Sequence, residues 1–336
     1  MIPKKTLIIA EAGVNHNGNL LRAKKLVDAA AAADADIVKF QTFKASKLTT
    51  RLLSKADYQK NSSDDNQSQF DLLQQLELND ADYLELREHC ESREIEFLST
   101  GFDIESVDYL IDLGITKIKI PSGEITNLPY LRHVGSKSLP IILSTGMSNI
   151  VEIASALEIL TKSGTKKENI TLLHCTSEYP APMSSINLNA LSTIRDEFGV
   201  SVGYSDHSQG IEVAVAAVAL GARIIEKHFT LDKNLPGPDH KASLNPSELE
   251  SMVKAIRNVE RAMGSPRKVP TLAEEEMKKV ARKFLVASRQ IKKGEFFTTE
   301  NIVAKRAGSG LSPMELDNII GMKSKQDFSP DEIIQI

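Results

Sequence analysis

The chemistry of this chain is easiest to read from its histidines and lysines. Residues 200–204 and 223–225 are short apolar runs that lead into Ser205-Asp206-His207 and Glu226-Lys227-His228. Residues 209–220, between them, are one helix long. A strand–helix–strand crossover makes the flanking strands parallel, so it brings both imidazoles to one end of a sheet. Paired imidazoles there suit Mn, Zn, Fe or Co; the alternative is a pair of hydrogen-bonded structural histidines. His16, His174 and His240 each read as structural.

Lys39 and Lys119 also fall in apolar runs. A lysine at the end of a buried strand needs a carboxylate, a phosphate or a carbonyl carbon as partner. With Ser122, Ser144 and Ser205 the lysines would cradle a phosphate. Structural ion pairs with Glu11 or Glu124 are the alternative, and one lysine alone would be a Schiff-base nucleophile. Other polar residues follow apolar runs in the same way: Glu11 with Asn15 and His16, Gln41, Thr100, Thr145, and Cys175 with Thr176, Ser177 and Tyr179. Tyr179 precedes Pro180-Ala181-Pro182, and Asp239 lies in Pro236-Gly237-Pro238-Asp239-His240, two loops stiffened by proline. Cys175 reads as a buried strand residue without an adjacent base.

The elements that must position these groups are eight candidate strands, at residues 7–10, 36–40, 95–99, 116–120, 140–144, 170–175, 200–204 and 223–225. Helix-period stretches such as 20–33, 81–93, 150–163 and 187–198 separate them. This alternation predicts an α/β fold, a (β/α)8 TIM barrel with its active site at the carboxyl ends of the strands. An open doubly wound sheet is the competitor, but no Gly-x-Gly-x-x-Gly follows the first strand. The connection over residues 44–78, with a polar stretch at 59–69, predicts an excursion or lid over the barrel mouth; a disordered surface loop is the alternative. A last helix at 246–263 leads to Gly264-Ser265-Pro266 and a charged helix-like segment at 272–283. Strand-like runs at 285–289, 291–297 and 302–305 and a turn at 308–313 then predict a small β-rich module. The expected domains are a barrel over 1–268, a linker over 269–283 and the module over 284–336.

Composition narrows the function classes. Hydrophobic residues make up 41% and charged residues 26% of 336 residues, and the net charge of -4 provides no basic excess for nucleic acid. The cysteines, Cys90 and Cys175, suggest a reducing compartment without disulfides. The N-terminus shows no signal-peptide core, and no apolar run approaches the ~18 residues of a membrane span. The expectation is a cytoplasmic enzyme.

Over essentially its whole length the chain resembles the sialic acid synthases, which condense phosphoenolpyruvate with an N-acylated amino sugar. The matching segments are Ile9-Ala10-Glu11-Ala12-Gly13-Val14-Asn15-His16, Val38-Lys39-Phe40-Gln41-Thr42-Phe43, Lys119-Ile120-Pro121-Ser122-Gly123-Glu124 and Leu143-Ser144-Thr145-Gly146-Met147. His174-Cys175-Thr176, Gly203-Tyr204-Ser205-Asp206-His207, Glu226-Lys227-His228-Phe229-Thr230 and Gly237-Pro238-Asp239-His240 continue the series. Ile291-Lys292-Lys293-Gly294-Glu295 and Val303-Ala304-Lys305-Arg306 look like that family's antifreeze-like (SAF) domain.

The resemblance implies that Lys39, Thr100, Lys119, Ser122, Ser144, Ser177 and Ser205 hold phosphoenolpyruvate, with Ser177 standing where sialate-forming members often carry asparagine. It implies a divalent metal on His207 and His228, usually Mn2+, with Mg2+ or Co2+ as alternatives. Glu11, Gln41, Tyr179 and Asp239 would meet the sugar, and Glu124 would handle a proton or water. Arg306 would reach the N-acyl group from the other subunit of a domain-swapped homodimer, although Ala307 replaces the proline common beside it. Segments 39–43 and 124–130 look like the legionaminic acid branch, with Phe40 and Phe43 suiting a 6-deoxy sugar. That implies 2,4-diacetamido-2,4,6-trideoxymannose as the substrate; N-acetylmannosamine, the substrate of N-acetylneuraminate synthases, is the alternative. The pseudaminic branch usually shows Phe where Gly123 stands. A Schiff-base aldolase and a non-enzymatic scaffold with a carbohydrate- or ice-binding tail are the rivals from other classes.

Overall fold

In the computed structural model, which describes residues 5–51 and 68–336, alternate residues of the strands point inward in layers. Ile9, Ile37, Leu98, Ile142, Leu173 and Ile224 form one apolar layer inside the barrel. Two positions further along the same strands stand Glu11, Lys39, Thr100, Ser144, Cys175 and Glu226. The period-two geometry of a strand sends these side chains inward as well, so the layer above the apolar plug is polar.

The strands are β1 (Leu7–Gly13), β2 (Ile37–Thr42), β3 (Glu96–Gly101), β4 (Ile118–Ile120), β5 (Ile141–Ser144), β6 (Ile170–Cys175), β7 (Ser201–Asp206) and β8 (Ile224–His228). All pair in parallel in sequence order, and β1 closes the barrel on β8 with Glu11 in register with His228. The expected (β/α)8 barrel is therefore present. Between the strands and the outer helices lies the main core, which includes Phe40, Tyr130, Tyr204 and Phe229.

Capping boxes start the helices Asp80–Ser92, Ile150–Lys162 and Pro246–Met263 from Asn79, Asn149 and Asn245. In each, the asparagine side chain and an acidic residue at N3 satisfy orphan backbone donors reciprocally. Of the 44–78 connection expected as a lid, residues 52–67 lie outside the described residues, and most of the polar stretch at 59–69 falls there. Its described parts include the helices Ala45–Leu48 and Gln69–Leu76. The second helix starts from a Ser68–Asp71 capping box, and its apolar face joins Val14, Phe43 and Phe102 in a cluster of its own.

The chain divides into two compact units, Met1–Gly264 and Ser265–Ile336. The second contains the helix Leu272–Ala281 and the antiparallel pair β9 (Lys283–Ala287) and β10 (Ile302–Arg306). Leu285, Ala287, Ile291, Phe297, Ile302, Ile319, Phe328 and Ile334 make its core. The run expected as a strand at 291–297 contributes only isolated bridges, at Ile291 and Phe296. A turn interrupts it: the Glu295 amide donates to the Lys292 carbonyl (3.0 Å), and Gly294 adopts φ 85.

Candidate active site

The carboxyl ends of the strands enclose a cavity of about 370 Å³. Glu11, Lys39, Gln41, Thr100, Lys119, Ser122, Ser144, Ser177, Tyr179, Ser205, His207, His228 and Asp239 all line it. Thirteen of the fifteen residues singled out from the sequence thus meet in one place. Glu124 does not line the cavity; it follows Gly123 at the edge and accepts a hydrogen bond from the Asn127 side chain (2.5 Å). Arg306 is exposed at the end of β10, in the second unit.

Glu226, given no role from sequence, is the hub of the charged layer. Its carboxylate lies 3.7 Å from Lys39 Nζ and 3.9 Å from Lys119 Nζ, and accepts a hydrogen bond from Ser205 Oγ (3.1 Å). Burial alone would raise its pKa, but Lys119 and Lys39 hold it down at about 2. Lys39 also pairs with Glu11 (2.7 Å) and donates to Thr100 Oγ1 (3.1 Å), and these carboxylates outweigh burial to keep its ammonium charged. Lys119 donates to Ser144 Oγ (2.7 Å) and to the Ile120 carbonyl (3.0 Å), and burial lowers its pKa. The signal for Glu226 was present in the sequence, two positions before His228 on the same inward face.

Glu11 differs from Glu226. Burial pushes its carboxyl up to about 7 against the pull of Lys39, and Gln41 Nε2 donates to it (3.1 Å). Burial also lifts Asp239 to about 6. Both imidazoles are held neutral: burial lowers His207, and burial with His207 nearby lowers His228 further. The Nδ1–H of His207 donates to the Thr176 carbonyl (2.6 Å), which leaves the Nε2 lone pair available. His228 Nδ1 is buried without a hydrogen-bond partner, 3.8 Å from an Asp239 carboxylate oxygen. The rings lie 5.7 Å apart, and Tyr179 packs on His207 at 4.1 Å. Neutral rings with spare nitrogens beside carboxylates are the donor set a divalent ion takes. Among the described residues no group of three or more His, Cys, Asp or Glu side chains converges to hold a metal, so the imidazole pair is the available anchor.

The outward residues of the same strands brace the site. Lys227, fully buried behind Glu226 and His228, donates to Asp206 (2.8 Å) and to the Ser208 carbonyl (2.5 Å). Asp206 in turn accepts from the Ser208 amide and hydroxyl (2.9 and 2.6 Å), which fixes the turn that carries His207. At Gly146 a Cβ would stand 2.2 Å from Ser177 Oγ and 2.9 Å from Ser122 Oγ, and the Gly146 amide donates to Ser122 (3.0 Å). Only glycine lets those hydroxyls approach.

One sequence expectation is corrected. Phe40 and Phe43 do not line the cavity; Phe40 packs outside the strands and Phe43 under the helix Gln69–Leu76. An outward strand position and a loop turned towards that helix place both rings elsewhere. His16, His174 and His240 also lie outside the cavity lining, as expected.

A model of the NeuB family matches residues 26–268, and a SAF domain model matches residues 282–336. The chain belongs to the NeuB family. Among NeuB-related proteins, it is 51% identical over 332 residues to an N,N'-diacetyllegionaminic acid synthase of Campylobacter jejuni, with 99% of each chain covered. It is 47% identical to the protein of that name from Legionella pneumophila, over 96% of this chain and 91% of the other. A solved N-acetylneuraminic acid synthetase from Leptospira borgpetersenii is similar at a TM-score of 0.72 and 33% identity, over 82% of this chain and 90% of that one. The resemblance to sialic acid synthases and the barrel-plus-SAF architecture are both borne out.

Proposed function

We propose that the chain condenses phosphoenolpyruvate with the open-chain aldehyde of 2,4-diacetamido-2,4,6-trideoxymannose and water, giving N,N'-diacetyllegionaminate and phosphate. The observation that carries this reading is the convergence, in one cavity, of a lysine–hydroxyl cradle with a pair of neutral imidazoles. The names of the Campylobacter and Legionella relatives support the choice of sugar. The runner-up, an N-acetylneuraminate synthase acting on N-acetylmannosamine, is favoured by the likeness to the Leptospira protein.

In this reading Lys39, Lys119, Thr100, Ser122, Ser144, Ser177 and Ser205 hold the anionic groups of phosphoenolpyruvate. Glu226 neutralises the lysines until that anion arrives. Glu11, Gln41, Tyr179 and Asp239 orient the sugar, and Glu124 at the edge handles a proton or water. His207 and His228 hold a divalent ion, Mn2+ first and Mg2+ or Co2+ as alternatives, which when bound supplies Lewis acidity to a carbonyl oxygen. The methylene carbon of phosphoenolpyruvate bonds to the aldehyde carbon, and water adds at the neighbouring carbon, which expels phosphate and leaves a ketone. Glu11, lifted to about 7, can give a proton to the new alkoxide oxygen near neutral pH. Holding both reactants at attack distance is the main contribution of the cradle.

Residues 1–268 act as the catalytic barrel, 269–283 as a linker and 284–336 as the antifreeze-like domain. The protein works in the cytoplasm as a domain-swapped homodimer in which Arg306 of the partner subunit meets the N-acyl group. No helix of the described residues is long and apolar enough to cross a membrane. The test is phosphate release from phosphoenolpyruvate with each sugar in turn. Faster turnover with the diacetamido sugar is expected; a clear preference for N-acetylmannosamine removes the proposed substrate, and borohydride trapping of a pyruvate adduct removes the reaction.

A further inference from the structure

The cavity has a side that the charged chemistry does not use. Val14, Leu72, Leu73, Leu76 and Phe102 line it there with hydrocarbon. They come from the segments after β1, β2 and β3, whereas His207 follows β7 and His228 ends β8. Leu72 and Leu76 are buried in the cluster with Val14 and Phe43, so they hold the helix Gln69–Leu76 in place. Leu73 and Phe102 are only partly buried and line the same cavity, and Leu73 is the one of the two carried by this helix.

This helix is held to the barrel at close range. Gly18 has φ +68, and a Cβ there would lie 2.4 Å from the Gln75 carbonyl oxygen. The Glu77 carboxylate accepts the Ala45 amide (2.6 Å), and the Ser68–Asp71 capping box closes the other end. The wall is therefore a fixed surface of the site.

An apolar wall has no use for the phosphate or the carboxylate of phosphoenolpyruvate, and it would strip water from a sugar hydroxyl without replacing its hydrogen bonds. We propose that Leu73, backed by Leu72 and Leu76, is a specificity-determining residue that receives the deoxy carbon at the end of the sugar remote from the aldehyde. The inference rests on the reading of the chain as a synthase of a 6-deoxy diacetamido sugar. It assigns the discrimination to the helix Gln69–Leu76. A hydrophobic contact rejects an analogue that merely adds a hydroxyl by about 10²-fold.

The test compares kcat/KM for 2,4-diacetamido-2,4,6-trideoxymannose with that for the same sugar bearing a 6-hydroxyl, in the full-length wild type, Leu73→Gln and Leu73→Met. The wild type should favour the deoxy sugar by about 10²-fold, Leu73→Gln should shrink the ratio roughly tenfold through the sugar KM, and Leu73→Met should keep it. A ratio unchanged in Leu73→Gln, with the wild type still preferring the deoxy sugar, overturns this inference alone. A wild type that prefers the hydroxylated sugar, or turns over neither, overturns the proposed function as well.

Discussion

Glu226 stands between two buried ammonium groups, and its removal would leave Lys119 without a carboxylate within ion-pair distance and Lys39 with only Glu11. Breaking a buried ion pair from one side costs about 3–5 kcal/mol. Glu226→Gln should therefore lower the stability of the ligand-free protein by about that amount. Phosphoenolpyruvate should restore more of the melting temperature in the variant than it adds to the wild type. Equal stabilisation of both proteins by the anion would separate Glu226 from the cradle. His16 supplies a pH prediction away from the cavity. Burial lowers its pKa from 6.5 to about 4, so between those values the unfolded chain binds a proton that the native chain does not. Stability from this group thus rises with pH across the window and is lost on acidification, by ~3 kcal/mol over the interval. His16→Asn should flatten the pH dependence of urea unfolding between pH 4 and 6.5 by close to one proton; an unchanged slope would place the charge elsewhere. At this scale the period of two is the informative signal, because it sends Glu11, Lys39, Thr100, Ser144 and Glu226 inward from their strands. Glu226 obeys that rule, two positions before His228 on the same inward face.

The helix Gln69–Leu76 carries the clearest lesson about elements. Its sequence, QFDLLQQL, follows a long polar stretch that reads as loop, and one helix of eight residues gives little periodic signal. The Ser-x-x-Asp start at Ser68 was the available cue. The low polarity of Phe40 and Phe43 suits a 6-deoxy sugar, but a strand alternates its faces, and in β2 it is Lys39 and Gln41, not Phe40, that point inward. The contact between Gly18 and Gln75 couples this helix to the loop after β1. Gly18→Ala has to adopt a positive φ and push against a backbone carbonyl. It should cost ~1–3 kcal/mol in urea unfolding and raise the sugar KM more than the phosphoenolpyruvate KM. A variant with wild-type kinetics and stability would show that the helix needs no such anchor.

At the scale of the molecule the barrel was readable from its alternating strands and helices, whereas periodicity showed the second unit only as a β-rich tail, and its likeness to the antifreeze-like domain came from the segments 291–295 and 303–306. Turn geometry around Gly294 breaks the 291–297 run, and such turns are harder to see than hydrophobic periodicity. Arg306 provides the functional link proposed between the units. If it serves the partner subunit, mixing two inactive variants, Arg306→Ala and Lys119→Ala, should restore activity that neither shows alone, because a mixed dimer then contains one intact site. A mixture that stays inactive after subunit exchange would put Arg306 on its own barrel or outside catalysis. What is joined to phosphoenolpyruvate can be read from one competition experiment. With phosphoenolpyruvate limiting and equal amounts of 2,4-diacetamido-2,4,6-trideoxymannose and N-acetylmannosamine, the product ratio read by mass spectrometry equals the ratio of kcat/KM values. N,N'-diacetyllegionaminate in large excess is the expected product; N-acetylneuraminate as the main product, or no condensed 2-keto acid, would overturn the proposed function.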